Sequence, residues 1–363
     1  MPLFALGFRP LYLLAGAYAA LSVPLWALQY AGWLPGADPL WHAHEMLFGY
    51  AFAVIAGFLL TAVRAWTGLP TPAGAALAAI AALWIAARLL APFSLLLSSA
   101  TDALFAVAVA WGIGRPIVAS HNRNWFFIIL VLALGAASMA FLAFSRVALA
   151  IGLDVVLLVM AVMGGRVIPG FTNNAVPGAG ARRIAWLERA ALGSVLLLLF
   201  LDGIEFQAPL AALAAAALHA ARMALWAPIK TRGRSILWIL HLSYAWIVVH
   251  LALRGLAGFD LAPAVLATHA LTVGAIGGLT LGMMTRTARG HTARPLTAGR
   301  AEVAAYALVQ AAAAVRVLLP LAMPATYAAA VAISAALWSA AFAVFVFTYA
   351  PILSRPRLDG QPG

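Results

Sequence analysis

The chain has 363 residues, 65% of them hydrophobic and only 9% charged, with a formal net charge of +12 and no cysteine. A soluble domain carries about 25% charged residues, so this composition excludes one and points to membrane helices. Without cysteine there are no disulfides, no thiolate-ligated or covalent c-type haem and no cysteine-held iron–sulfur cluster, which leaves any metal to His, Met, Asp, Glu, Tyr or backbone.

Apolar runs then follow one another along the whole sequence. Hydropathy places spans at about 11–31, 43–63, 73–91, 94–114, 124–144, 147–165, 184–201, 208–227, 235–253, 262–285, 302–320 and 326–350. The first reads as an uncleaved anchor rather than a removed signal. No room remains for a soluble domain, so residues 1–363 are expected to form one all-α, polytopic membrane bundle of about twelve transmembrane helices.

The basic residues orient this bundle. With the N-terminus in the cytoplasm, the inner loops collect Arg115, Arg123, Arg182, Arg183, Lys230, Arg232, Arg234, Arg286, Arg294 and Arg300, among others. The outer loops hold only Arg146 and Arg254. That is a positive-inside pattern with both termini cytoplasmic. It accounts for the positive charge as a topology signal and argues against nucleic acid as a partner. The partner it implies is a lipid bilayer.

Chemistry concentrates first in Trp41-His42-Ala43-His44-Glu45, at the mouth of the second span. Ionisable groups at such a place mark a site, and imidazole is a common ligand of haem iron and copper. His42 and His44 point about 200° apart on a regular helix, so they either serve two different centres or share one metal at a frayed helix start. Glu45 is a ligand, a tautomer-fixing partner or a proton carrier. His219 lies in the middle of the eighth span and His241 about two turns into the ninth, so the two are expected to meet at similar depth. Tyr244 shares the face of His241. His250 lies on the opposite face. His121 falls in a polar turn and His291 in a basic loop.

The tenth span echoes the second. Counted from His44 and from His269, Gly recurs at the same two steps (Gly49 and Gly274, Gly57 and Gly282), followed by Arg64 and Arg289, then Pro70 and Pro295. This suggests an internal repeat relating the spans near 43–63 and 262–285, with His44 and His269 at equal depth. Two histidines opposed across facing helices are a standard haem b ligand pair. Gly274 and Gly277 would leave room for the flat macrocycle.

Several longer stretches resemble the NnrS family: Gly7-Phe8-Arg9-Pro10, Trp41-His42-Ala43-His44-Glu45-Met46-Leu47-Phe48-Gly49, Gly165-Arg166-Val167-Ile168-Pro169, His241-Leu242-Ser243-Tyr244-Ala245-Trp246, His269 to Gly278, and Gly290-His291-Thr292-Ala293-Arg294-Pro295-Leu296. The resemblance spans nearly the whole chain. It implies a bacterial inner-membrane protein of about twelve helices that contains haem and copper. It further implies a place in denitrification and in resistance to nitric oxide and nitrosative stress. Carried onto this sequence, it marks His42, His44, His219, His241, His269 and His291, with Arg9 in a supporting motif. It does not divide these histidines between haem and copper.

Three functions follow as expectations. The first is a redox metalloprotein acting on nitric oxide, with haem b on His44 and His269, copper at His42, His44 and Glu45, and a second haem or metal site at His219 and His241. Its electron source would be a quinol or another respiratory-chain donor. The second is a transporter or metal-delivery factor. The third is a haem sensor or assembly factor without turnover.

Overall fold

The computed structural model describes residues 1–36 and 38–361, and among them every regular element is helical. Twelve helices run in order: α1 (Phe8–Tyr30), α2 (Pro39–Thr67), α3 (Ala75–Leu90), α4 (Leu95–Ala119), α5 (Arg123–Ala140), α6 (Ser145–Ala175), α7 (Ala185–Gly203), α8 (Pro209–Ala224), α9 (Ser235–Ala257), α10 (Ala264–His291), α11 (Arg300–Ala322) and α12 (Pro324–Leu353). Among the described residues nine of these are long and apolar enough to cross a membrane. The chain is therefore a multi-pass membrane protein by length and composition. The other three are α3, α7 and α8. At 16 residues each, α3 and α8 reach about 24 Å, less than the ~30 Å hydrocarbon layer. Helix α7 carries Glu188, Arg189 and Asp202 along its length.

Helix α2 begins four residues before the hydropathy boundary. Asp38 caps it by accepting from the Leu40 amide at 2.8 Å, and Pro39 supplies the preset first turn. Trp41 to Glu45 thus lie inside the helix, not at its mouth. Its far end is closed by Gly68 at φ +70°, whose amide donates to the Arg64 carbonyl, a left-handed stop that glycine adopts at little cost. Helix α6 also outruns its expected span, continuing past Pro169 to Ala175.

The bundle closes by packing α1 against α12. Trp338 Nε1 donates to the Ala19 carbonyl at 3.1 Å and Ser339 Oγ to Ala20 at 2.6 Å. Beyond α12 the tail folds back on α10. There Arg357 donates to the His291 carbonyl and also grips Asp359, holding that exposed carboxyl down to about 2.

Helices α2 and α10 share an irregularity. Each starts as an α-helix and widens into a π-helix immediately after a histidine: Glu45–Ala51 follows His44, and Ala270–Gly277 follows His269. Such widened turns recur at functional sites. The offset that carries His44 onto His269 also carries Pro39 onto Ala264 and Ala75 onto Arg300, the first residues of α2 and α10 and of α3 and α11. The two widened helices are tied to each other by a Tyr50–Thr280 hydroxyl bond.

Candidate functional site

The α-helical turn ahead of the widened segment sets His42 and His44 against two separate environments. On one side an interior cavity of about 280 Å³ opens between α1, α2, α10, α11 and α12. His42 and His269 both line it, with Trp26, Met46, Arg316 and Trp338. The His42 ring stacks on Trp26, with centroids 4.2 Å apart and planes at 21°. Its Nδ1 is buried and, among the described residues, has no hydrogen-bond partner. His269 Nδ1 bonds the Val265 carbonyl at 2.7 Å. A carbonyl only accepts, so Nδ1 carries the proton and Nε2 keeps a lone pair. This arrangement fixes the tautomer of a metal-ligating imidazole. Arg316 completes the polar lining. It is buried, and its charge acts on both imidazoles.

On the other side of α2, His44 is fully buried in a polar cluster. Its Nδ1 donates to Glu45 Oε1 at 2.9 Å, while Nε2 lies 3.1 Å from Ser138 Oγ and 3.3 Å from Ser99 Oγ. Arg88 pairs with Glu45 at 2.9 Å and with Asp102 at 2.6 Å, and the Tyr18 hydroxyl donates to Glu45. Both nitrogens of His44 are engaged, and the cavity pairs His269 with His42 instead. The haem pair expected from the sequence, His44 with His269, is not brought together around it.

The three donors expected for copper do not converge. His42 faces the cavity, while His44 and Glu45 bond to each other across the helix. Among the described residues no three His, Asp or Glu side chains form a group able to hold a metal ion. His42, His44 and Glu45 therefore do not form one shared ligand set.

His219 and His241 are both buried but do not meet as a pair. His219 Nδ1 bonds the Tyr244 hydroxyl at 2.7 Å, and Nε2 lies 3.0 Å from the Ala191 carbonyl. Tyr244 thus takes the place expected for His241. His241 turns to Thr172, its Nε2 lying 2.9 Å from Oγ1, and its Nδ1 is buried without a partner. Thr172 gives its own proton to Ile168, so His241 Nε2 is the donor. Beside them Arg222 pairs with Glu188 at 2.9 Å and lies over the Trp226 and Tyr244 rings.

Gly274 and Gly277 do not border open space. A Cβ on Gly274 would meet Trp246 at 2.3 Å, and one on Gly277 would meet Trp338 at 2.3 Å. Tryptophan indoles fill the room expected for a macrocycle, and one of them, Trp338, forms a cavity wall. Arg9 and His291 sit at the opposite end of α1 and α10 from His42. Arg9 donates to the Leu353 and Arg355 carbonyls, tying α1 to the end of α12, and His291 packs on Phe8. Both hold the bundle together away from the cavity. His121 lies in a left-handed turn at φ 49°.

Sequence reasoning did not single out four contributors, Arg316, Ser99, Ser138 and His250. Arg316 shows in the sequence only as a charge within an apolar helix. Ser99 and Ser138 carry no signal in an apolar helix. His250 lines a second cavity of about 270 Å³ with Asp154, Asp202 and Arg254. There Arg254 bridges Asp154 and Asp202.

Fold and site together define a multi-pass membrane protein whose bundle encloses a cavity lined by two histidines from its two widened helices. The profile of the family described as NnrS protein matches residues 2–357, and the chain belongs to that family. No curated protein matches it.

Proposed function

We infer that this chain is a haem protein of the bacterial inner membrane, acting in resistance to nitric oxide and nitrosative stress during denitrification. One observation carries the reading: His42 and His269 line the same cavity, one with an unpartnered ring nitrogen and the other with its tautomer fixed so that Nε2 keeps a lone pair. His42 and His269 would each offer a ring nitrogen to the iron of a haem held in this cavity. Bound there, haem b would supply an iron centre able to bind nitric oxide and exchange single electrons.

The remaining work falls to the protein. Trp26 holds the His42 ring by stacking. The Val265 carbonyl holds His269 and increases the basicity of its free nitrogen. Met46, Leu47, Val273 and Trp338 give the cavity apolar walls. Nitric oxide, small and uncharged, would arrive through the bilayer, and a quinol or another respiratory-chain component would supply electrons. The basic loops support an orientation with both termini in the cytoplasm and the cavity toward the outer face.

The experiment is purification from haem-replete cells with an optical spectrum and metal analysis. A haem spectrum that is lost in His42→Ala and in His269→Ala, and kept in His219→Ala, supports the assignment. Well-folded protein without haem would remove it.

A further inference from the structure

The two halves of the molecule treat their buried arginines differently. In the first half Arg88 of α3 meets two carboxylates, Glu45 and Asp102. The offset that carries His44 onto His269 carries Glu45 onto Ala270 and Asp102 onto Tyr327. Both carboxylates are thus absent at the corresponding positions, and Arg88 itself is carried onto Ala313, about one turn from Arg316. Arg316 of α11 is 4% exposed, and its hydrogen-bond partner is the Tyr327 hydroxyl, at 2.8 Å from Nη2. The guanidinium also lies 4.6 Å over the Tyr327 ring. Among the described residues it has no carboxylate partner, and Nη1 is buried without a hydrogen bond. Arg316 lines the cavity that holds His42 and His269. A guanidinium away from water needs an anion or a full set of acceptors, and it binds carboxylates and oxyanions in a planar, two-pronged way.

We propose that the occupant of this cavity carries an anionic group that pairs with Arg316. The proposal deepens the haem reading, on which it rests for the carboxylate source: a propionate of the porphyrin. The same chemistry would hold a small monovalent oxyanion entering from solution. In either case the ligand supplies the negative charge that Asp102 supplies to Arg88.

The test uses the full chain, purified from haem-depleted cells. Iron protoporphyrin IX and its dimethyl ester are titrated in parallel by absorbance, and sodium formate by the fluorescence of the cavity residues Trp26 and Trp338. In the native protein the free acid should bind at least about tenfold tighter than the ester, the range of a charge-assisted pair. Arg316→Met should bind acid and ester alike, and Arg316→Lys should keep the preference for the acid. If Arg316→Met does not fold, the native acid-to-ester ratio and the lysine variant decide. A saturable formate response that Arg316→Met abolishes identifies the solution source. Porphyrin binding that ignores esterification, with no formate response, overturns the anion site and leaves haem standing. Formate binding through Arg316 without porphyrin binding removes haem and leaves the anion site.

Discussion

His42 and His44, two residues apart on α2, serve opposite sides of the helix: His42 lines the cavity shared with His269, and His44 is sealed into the Glu45–Arg88–Asp102 cluster. Their substitution should therefore separate ligand binding from stability. His42→Ala is expected to lose bound ligand while its thermal unfolding stays close to that of the ligand-free parent. His44→Ala should lower stability by about 3 kcal/mol, because it leaves a buried carboxylate and two hydroxyls short of a partner. Thermal melts followed beside ligand content would check both.

Arg88 is the single guanidinium between two buried carboxylates. Removing it strands both charges, so Arg88→Met should cost about 3–5 kcal/mol or prevent folding. Adding Glu45→Gln and Asp102→Asn to that variant should return much of the loss. A triple variant no more stable than Arg88→Met would show that the ion pairs do not carry the effect.

Gly165 owes its place to an ion pair on the next helices. A Cβ there would lie 1.7 Å from Arg222 Nη2 and 2.6 Å from Glu188 Oε2. Gly165→Ala is expected to destabilise by about 1–3 kcal/mol through overpacking, while Gly170→Ala, whose Cβ would meet nothing, should cost far less. Denaturation of the two variants in the same detergent makes the comparison.

The parent has no cysteine, so single cysteines report topology against a silent background. Arg232 and Asp260 are both exposed, at opposite ends of α9. Arg232→Cys should react with an impermeant thiol reagent only from the cytoplasmic side, and Asp260→Cys only from the outer side. The reverse pattern would invert the orientation.

Much of the architecture was legible because apolar length and glycine, proline and arginine punctuation are local signals. Every expected span overlaps one helix. The cap Asp38-Pro39 was also local, but a hydropathy window discards a segment holding two histidines and a glutamate, so α2 was begun too late. The recurrence of Gly49 and Gly274 pointed toward the widened turns without revealing them, since a π-helix changes the direction of side chains and not their spacing in sequence. Counting residues paired His44 with His269, whereas the packing of α2 between two neighbours gives His44 to Ser99 and Ser138 and leaves His42 to the cavity. His219 and His241 show the same limit: similar depth was readable, but Tyr244 reaching His219 first was not.

The central claim is that His42 and His269 together hold the ligand of the cavity. Its most direct measurement is the absorption spectrum of the full-length protein purified from haem-replete membranes, taken for the parent, His42→Ala, His269→Ala and His44→Ala. The parent should show a haem spectrum of the low-spin, imidazole-ligated type. That spectrum should be lost in His42→Ala and His269→Ala, and kept in whatever fraction of His44→Ala folds. A spectrum that survives loss of His42 and disappears from well-folded His44→Ala would contradict it.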